Sequence, residues 1–467
     1  MADETHVVAQ LVARARTAQA VADRYDQAQA DRLCAAAAWA IMEPSRNRTL
    51  AELAVRDTGL GNVADKIQKN HRKTLGLMRD LHGAKSVGVV AENKATGITE
   101  IARAVGVVGA ITPSTNPGAT PANMIINAMK GRNAVILAPS PKGASTAELL
   151  LRYVYAEFDR IGAPHDLVQV LPSPVSKALT YELLHQVDLI VATGSQANIR
   201  AAYSSGKPAF GVGAGNVAVI VDASADLAVA AERIVRSKIF DNATSCSSEN
   251  SVVIVDAVYD AMIAALEAQG CMLLTGDEKA QLQDVMFPSG KLSPAVTAKT
   301  AAEIAAIAGL NRANAARVLM VNETGIGSSF PFSGEKLSPV MTIYRAVDFN
   351  AAARIVNNIY AFQGAGHSVG IHAAPERADP LALQLGLTLP VARVIVNQAH
   401  CIATGGSFDN GLPFSLSMGC GTWGGNGFSD NLTYRNFLNI TRIAKPIAPS
   451  MPDESALFAD YFAHVNR

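Results

Sequence analysis

Cys246 stands in the run "IFDNATSCSSENSVVIVD", Ile239 to Asp256, among small polar residues and just ahead of a β-branched stretch. A thiol in a polar turn between a helix and a strand is open to substrate, which a nucleophilic cysteine requires. The other four cysteines have weaker claims. Cys34 lies on an Ala-rich helical pattern and Cys271 opens the apolar "CMLL", both in the manner of small core residues. Cys420 sits among glycines with no base beside it in sequence. Cys401 follows His400, but neighbours in an extended segment point to opposite faces, so the two do not read as a dyad. Packing stays open for each cysteine, and position tilts the choice to Cys246.

Two strand–turn–helix stretches can also carry chemistry. In "DLIVATGSQANIR" a strand ends at Ala192, Thr193 and Gly194 turn the chain, and Ser195 starts a helix. Amide donors and the helix dipole favour an anion there, although an ordinary N-cap explains the same pattern. In "ITPSTNPGATPANMIINAMK" Thr120 can cap and Pro121 suits a first helical position. Asn116, between two turn formers, either shapes the loop or donates to a developing oxyanion. The glycines of "FGVGAGN", Phe210 to Asn216, precede the strand "VAVIV" instead of following one. The usual dinucleotide fingerprint is thereby excluded.

These residues need elements to hold them. Residues 1 to about 85 carry apolar residues at helical spacing. "ENKATGITEIAR" reads as an extended hairpin, an arm suited to a partner subunit. Short β-branched runs then alternate with helices at Ala119–Lys130, Ala144–Arg160, Ser173–His185 and Ser195–Ser204, the pattern of a parallel sheet. A second series begins at "NVAVIVD" and continues through "SVVIV", "ARVLMV", "VMTIY", "SVGIH" and "ARVIVN". The fold class is therefore α/β with two successive domains and a boundary near Gly211 to Val217.

The chain has 467 residues, 49% hydrophobic and 17% charged, with forty basic residues against forty acidic ones. No basic footprint for nucleic acid or an anionic membrane appears. Nine histidines form no H-E-x-x-H motif, so no metal is expected. An odd, unpatterned cysteine set fits reduced thiols. No signal peptide and no apolar run of about 18 residues is seen, so a soluble cytoplasmic protein is expected.

Taken in order, "GAITPSTNP", "KGRNAVILAPSPKGAS", "VDLIVATGS", "GVGAGNVAVIVD", "IFDNATSCSSENSVV", "EKLSPVMTIY", "GAGHSVGIH" and "SMGCGTWGGNGFSDNLTYRNFLNITRIA" resemble the CoA-acylating branch of the aldehyde dehydrogenase superfamily, from about Ile101 to Lys445. So many ordered matches are specific. The resemblance implies a cofactor domain at 1–215 with 92–103 as an oligomerisation arm, and a catalytic domain at 216–403. Residues 404–467 would return to the cofactor domain and the dimer interface. It also implies NADP or NAD as cofactor, coenzyme A as co-substrate, and a homodimer or homotetramer.

Carried over, Cys246 would be the nucleophile, Asn116 with the Cys246 N–H would hold the oxyanion, and His367 would assist the thiol of coenzyme A. A structural hydrogen bond is the other role open to His367. Cofactor contacts would fall on Thr112, Pro113, Ser140, Lys142, Thr193, Gly194, Ser195, Gly213 and Glu335, the last at the nicotinamide ribose. Two departures from hydrolytic members stand out. Their general-base Glu falls on Gly211, which leaves water poorly activated and the thioester intact for a second thiol. Their ribose-gripping Lys and Glu fall on Ala138 and Pro141, which admits a 2′-phosphate near Ser140 and Lys142. Whole segments, "STNPGATPANMIINAMKGRNAVILAPSPKG" and "HDLVQVLPSPVS", are most similar to sulfoacetaldehyde-acylating enzymes. Succinate semialdehyde is the second choice and short neutral aldehydes the third. Thr244, Ser245, Ser247, Ser407 and Asn410 are candidate neutral donors to the substrate.

Overall fold

The computed structural model describes residues 2–465. Four helices open the chain: α1 Ala2–Ala22, α2 Gln27–Met42, α3 Pro44–Thr58 and α4 Val63–Leu81. Their ends follow local chemistry. Asp26 and Gln29 form a capping box on α2, Pro44 starts α3, left-handed Gly59 ends it, and Asn62 caps α4. Helix α4 buries Lys66, Lys69, Lys73 and Leu77 on one stripe at spacings of three and four. Three lysines on a buried stripe need polar partners, because burial alone disfavours each of them.

Strands β1 Gly88–Asn93 and β2 Ile98–Ala104 form the hairpin, which spans 88–104 and so runs beyond the expected 92–103. The last strand of the chain, Leu438–Ala444, pairs antiparallel with β2. No alternating pattern in the sequence marks it.

The first α/β unit is a parallel sheet of β3 Val107–Thr112, β4 Ala134–Pro139, β5 Val168–Val170, β6 Leu189–Thr193 and β7 Ala209–Val212. Helices α5 Ala119–Lys130, α6 Ala144–Ile161, α7 Lys177–Gln186 and α8 Gln196–Ser204 connect these strands. Helix α7 starts at Lys177 and not at Ser173, because the Ser176 side chain caps it. The strand order is β5-β4-β3-β6-β7. Sequence order reverses between β3 and β6, so their C-terminal ends flank a crevice. Every residue of β3 and β4 is buried, as a sheet covered on both faces requires.

The second sheet is also parallel. It contains β8 Val217–Val221, β9 Glu249–Val255, β10 Cys271–Leu273, β11 Val318–Asn322, β12 Val340–Ala346, β13 Val369–His372 and β14 Val394–Val396. Their order is β10-β11-β12-β9-β8-β13-β14. The chain leaves the first sheet at Val212 and enters the second at Val217. Cys271 is buried, but in a short edge strand that "CMLL" did not announce. Phe414, Leu432 and Phe437 pack into the core of the first sheet, so the chain beyond 404 returns there. From Asn439 to Val465 every residue is exposed. Among the described residues no helix is long and apolar enough to cross a membrane, and no cluster of three or more ligating side chains could hold a metal ion.

Candidate active site

Five adjacent strands of the second sheet, β12, β9, β8, β13 and β14, run parallel, so the loops leading into them share one edge. Those loops carry Glu335, Cys246, Gly215, His367 and Arg393. The Cys246 Sγ lies 3.4 Å from Nε2 of the buried His367. A Cβ on Gly215 would come within 2.2 Å of the Cys246 carbonyl oxygen and 3.1 Å of the His367 ring. Glycine is what lets these loops meet.

The turn before Cys246 is left-handed at three residues, with φ of 50° at Asp241, 53° at Asn242 and 59° at Ala243. Side chains in that region cost roughly 1–2 kcal/mol each, least for Asp and Asn. The buried Asp241 carboxylate supplies the hold. It accepts from Lys69 at 2.6 Å, Lys66 at 3.0 Å, Thr244 at 2.7 Å and the Asn62 N–H at 3.0 Å. Burial opposes its charge, but Lys69 and Lys66 outweigh that and keep it below the usual carboxylate range. Burial in turn lowers Lys66 to about 8. Sequence inspection missed these lysines, although their i, i+3 spacing on the buried stripe of α4 was a usable signal.

Lys69 also donates to Asn116 Oδ1 at 2.8 Å. This fixes the amide, whose orientation is assigned from its hydrogen bonds. Its NH2 keeps only a 3.4 Å contact to Thr115. Asn116 lines a small cavity with Ser245 and Ser247, the residues on either side of Cys246. An amide donor next to the nucleophile's loop suits an oxyanion. Thr244 turns away to Asp241, Ser407 bonds Asp409, and Asn410 bonds Gln398, so these three do not join the cavity.

Burial pushes the Cys246 thiol up to about 12, with Glu335 adding to the rise. Burial, then Arg393, lowers His367 to about 3. Both shifts oppose a thiolate–imidazolium pair, so the resting pair is neutral. His367 Nδ1 contacts Ser368 Oγ at 2.7 Å, which contacts His400 Nε2 at 2.8 Å. His400 Nδ1 is buried without a partner. An unpaired acceptor is tolerated better than an unpaired N–H. His400 then donates to Ser368, Ser368 to His367, and His367 Nε2–H to the sulfur. Iodoacetamide should therefore alkylate the resting enzyme at a rate that climbs about tenfold per pH unit between pH 7 and 9, since the thiolate fraction grows below a raised pKa. A plateau near pH 6–7 would reveal an ion pair instead.

His400 and Cys401 lie in a short helix, His400–Ala403, and not in an extended segment. They still form no dyad. His400 faces Ser368, while Cys401 Sγ donates to the Ser237 carbonyl at 3.2 Å.

Across the crevice most of the proposed cofactor residues gather at the ends of β3, β4 and β6, while Gly213 follows β7 and Glu335 lies ahead of β12. The hydroxyls of Thr112 and Ser140 and Glu335 Oε1 are buried without partners, as groups that await a ligand would be. Burial raises Glu335 to about 8. Ser195 caps α8, and Thr193 Oγ1 meets Ser417 at 2.6 Å. Gly194 has φ 150°, and a Cβ there would find only Pro113, at 3.9 Å, so the backbone is open to close approach. A Cβ on Gly213 would strike Gln196 at 2.1 Å. Lys142 is exposed in the turn after β4. These donors fit a dinucleotide laid over the switch point.

The aldehyde dehydrogenase family model matches residues 2–398. The acylating sulfoacetaldehyde dehydrogenase of Cupriavidus necator is 66% identical over 98% of this chain and 93% of its own. That of Bilophila wadsworthia is 42% identical over 96% and 97%. The chain belongs to the aldehyde dehydrogenase family. An acetylating aldehyde dehydrogenase from Geobacillus thermoglucosidasius superposes with a TM-score of 0.91 at 33% identity, covering 97% of this chain and 99% of that one. In this aldehyde dehydrogenase a Cβ at Gly211 would meet Ile199 and Tyr203, each at 2.8 Å. Position 211 thus packs against α8, and a Gly211→Glu substitution could not restore a general base without displacing that helix. The carboxylate whose charge reaches Cys246 is Glu335.

Proposed function

We propose that this protein is a CoA-acylating aldehyde dehydrogenase acting on sulfoacetaldehyde: aldehyde, CoA and NAD(P)+ give sulfoacetyl-CoA, NAD(P)H and a proton. The observation that carries the chemistry is the Cys246–His367 contact at 3.4 Å, with Asn116 lining a cavity beside Ser245 and Ser247, the residues that flank Cys246. The Cys246 thiol gives up its proton to solvent, the thiolate adds to the aldehyde carbon, and the carbonyl π pair becomes an oxyanion held by Asn116 and the Cys246 N–H. Thr112, Ser140, Thr193–Ser195 and Glu335 would hold NADP or NAD, which would supply the acceptor for the hydride that leaves the thiohemiacetal carbon. The resulting Cys246 thioester then meets the CoA sulfur. The CoA thiol loses its proton to solvent, its sulfur takes the acyl group, and the departing Cys246 thiolate accepts a hydrogen bond from the His367 N–H until it regains a proton from solvent.

The choice of aldehyde is supported by the relatives from C. necator and B. wadsworthia, both named for sulfoacetaldehyde. The enzyme should prefer sulfoacetaldehyde to propionaldehyde by roughly 10–100-fold in kcat/KM, the scale of one or two hydrogen bonds to a charged group. CoA-dependent NAD(P)H formation from sulfoacetaldehyde, succinate semialdehyde and propionaldehyde measures this. A preference for either of the other two would overturn the substrate.

The three-stranded arm and the exposed tail support a homodimer or homotetramer. Ile447, Leu457, Phe458, Tyr461 and Phe462 are all exposed in one chain, a surface that a second copy would cover. Sedimentation equilibrium checks the mass. Five free cysteines suit a reducing cytoplasm.

A further inference from the structure

The cavity lined by the two serines that flank Cys246 is bounded by α4, by the loop of the nucleophile and by the loop after residue 404, and among its lining are Lys69, Arg72, Lys73, Asn116, Ser245 and Ser247. Its three cations are not equivalent. Lys69 is paired with Asp241, which it shares with Lys66, and spends its donors on Asp241, Asn116 and Thr244. Arg72 forms no ion pair among the described residues, and one hydrogen bond, from Nη1 to the Ile402 carbonyl at 3.3 Å, is all it makes. Lys73 is 6% exposed and donates only to backbone, at 2.6 Å to Gly405 and 3.5 Å to Gly406. The acid whose charge reaches Arg72 is Asp409, already engaged by Ser407. A half-buried guanidinium with four N–H groups uncommitted, next to a buried ammonium without a counter-ion, is unfavourable until an anion arrives.

We infer that Arg72 and Lys73, with the Ser245 and Ser247 hydroxyls, form the subsite that grips the sulfonate of the substrate. The inference rests on the proposed chemistry at Cys246 and names what reads its substrate. A sulfonate carries three equivalent oxygens and stays ionised. The planar guanidinium fork can meet two of them. The two serine hydroxyls bond each other at 2.7 Å, which leaves one hydroxyl hydrogen for the third. The cavity measures about 30 Å3. That is room for roughly two waters. A compact headgroup can replace them, whereas a four-carbon chain would overfill it. Burial and the neighbouring Arg72 hold Lys73 below its ordinary pKa, and an incoming anion opposes both effects.

Arg72→Gln should raise KM for sulfoacetaldehyde and lower kcat/KM roughly 10–100-fold, while kcat/KM for neutral propionaldehyde falls far less. Arg72→Lys should recover part of the loss. An equal loss on both aldehydes would mean that Arg72 merely supports the fold, and no loss would place the sulfonate elsewhere. Ethanesulfonate protection of Cys246 against iodoacetamide gives a second measurement that needs no turnover. Protection in the wild type that Arg72→Gln removes supports the subsite, and absent or Arg72-independent protection overturns it. Should protection be found in an enzyme that prefers propionaldehyde, the proposed substrate fails while the anion subsite stands.

Discussion

Cys246→Ala should abolish NAD(P)H and acyl-CoA formation, with kcat down on the order of 10⁴–10⁶-fold, the scale seen when a covalent nucleophile is removed. Dinucleotide affinity should hardly change. The donors assigned to the cofactor, Thr112, Ser140 and the turn at Thr193–Ser195, lie on the first sheet, while Cys246 enters β9 of the second. Cys401→Ala is the control. Cys401 lines the cavity next to the nucleophile's loop, but burial raises its thiol to about 11 and its Sγ is committed to Ser237. It should keep the covalent step and lose a few-fold at most. Mass spectrometry of the enzyme mixed with aldehyde and NAD(P)+ should place the acyl adduct on Cys246. An adduct on Cys401, or activity surviving in Cys246→Ala, would mean that another group attacks the aldehyde.

Without CoA the wild type should release one equivalent of NAD(P)H per active site and then slow roughly 10²–10⁴-fold, the usual worth of a general base that water would need. The physical reason is local. Position 211 is a glycine pressed against α8, and burial raises Glu335 to about 8, so that near neutral pH it is mostly protonated and a poor base. His367, lowered to about 3, is likewise a weak base toward water. A thiol is far easier to deprotonate than water, so CoA can accept the acyl group where water cannot. The sign of the pH effect follows. As pH rises through about 8, Glu335 ionises and the slow CoA-independent rate should increase. Rapid-quench and stopped-flow absorbance of NAD(P)H read both phases. Steady turnover without CoA at neutral pH would show that water reaches the thioester freely, and the acyl-transfer assignment would fall.

Much of this was legible in the residues. Parallel sheets follow from β-branched runs alternating with amphipathic helices, because each strand buried on both faces needs a continuous apolar stretch. The polar turn around Cys246 announced itself locally, and so did the strand-end turn at Thr193–Ser195. The ordered motifs supplied the family, and the match over residues 2–398 agrees with them. What remained hidden, beyond the residues that the resemblance had brought to Cys246, was partnership across the chain. Lys66 and Lys69 lie 175 and 172 residues from the Asp241 they hold, and Ser368 lies 32 from His400. No local spacing encodes such distances.

The sequence by itself determined most of the strands and helices, though not the edge strand at Cys271 or the last strand at Leu438, and which residue types could react. The tertiary structure decided which of them meet. Because β12, β9, β8, β13 and β14 are neighbours running in one direction, the loops ahead of them, separated by up to 178 residues between Gly215 and Arg393, arrive at a single edge opposite the switch point of the first sheet. Strand order is set by the crossovers and by which faces must be covered, and these are global properties of the packed chain. The same holds for Arg72. On α4 it is one basic residue among several, and only the return of the chain beyond 404 closes a cavity over it without bringing a carboxylate to pair with it.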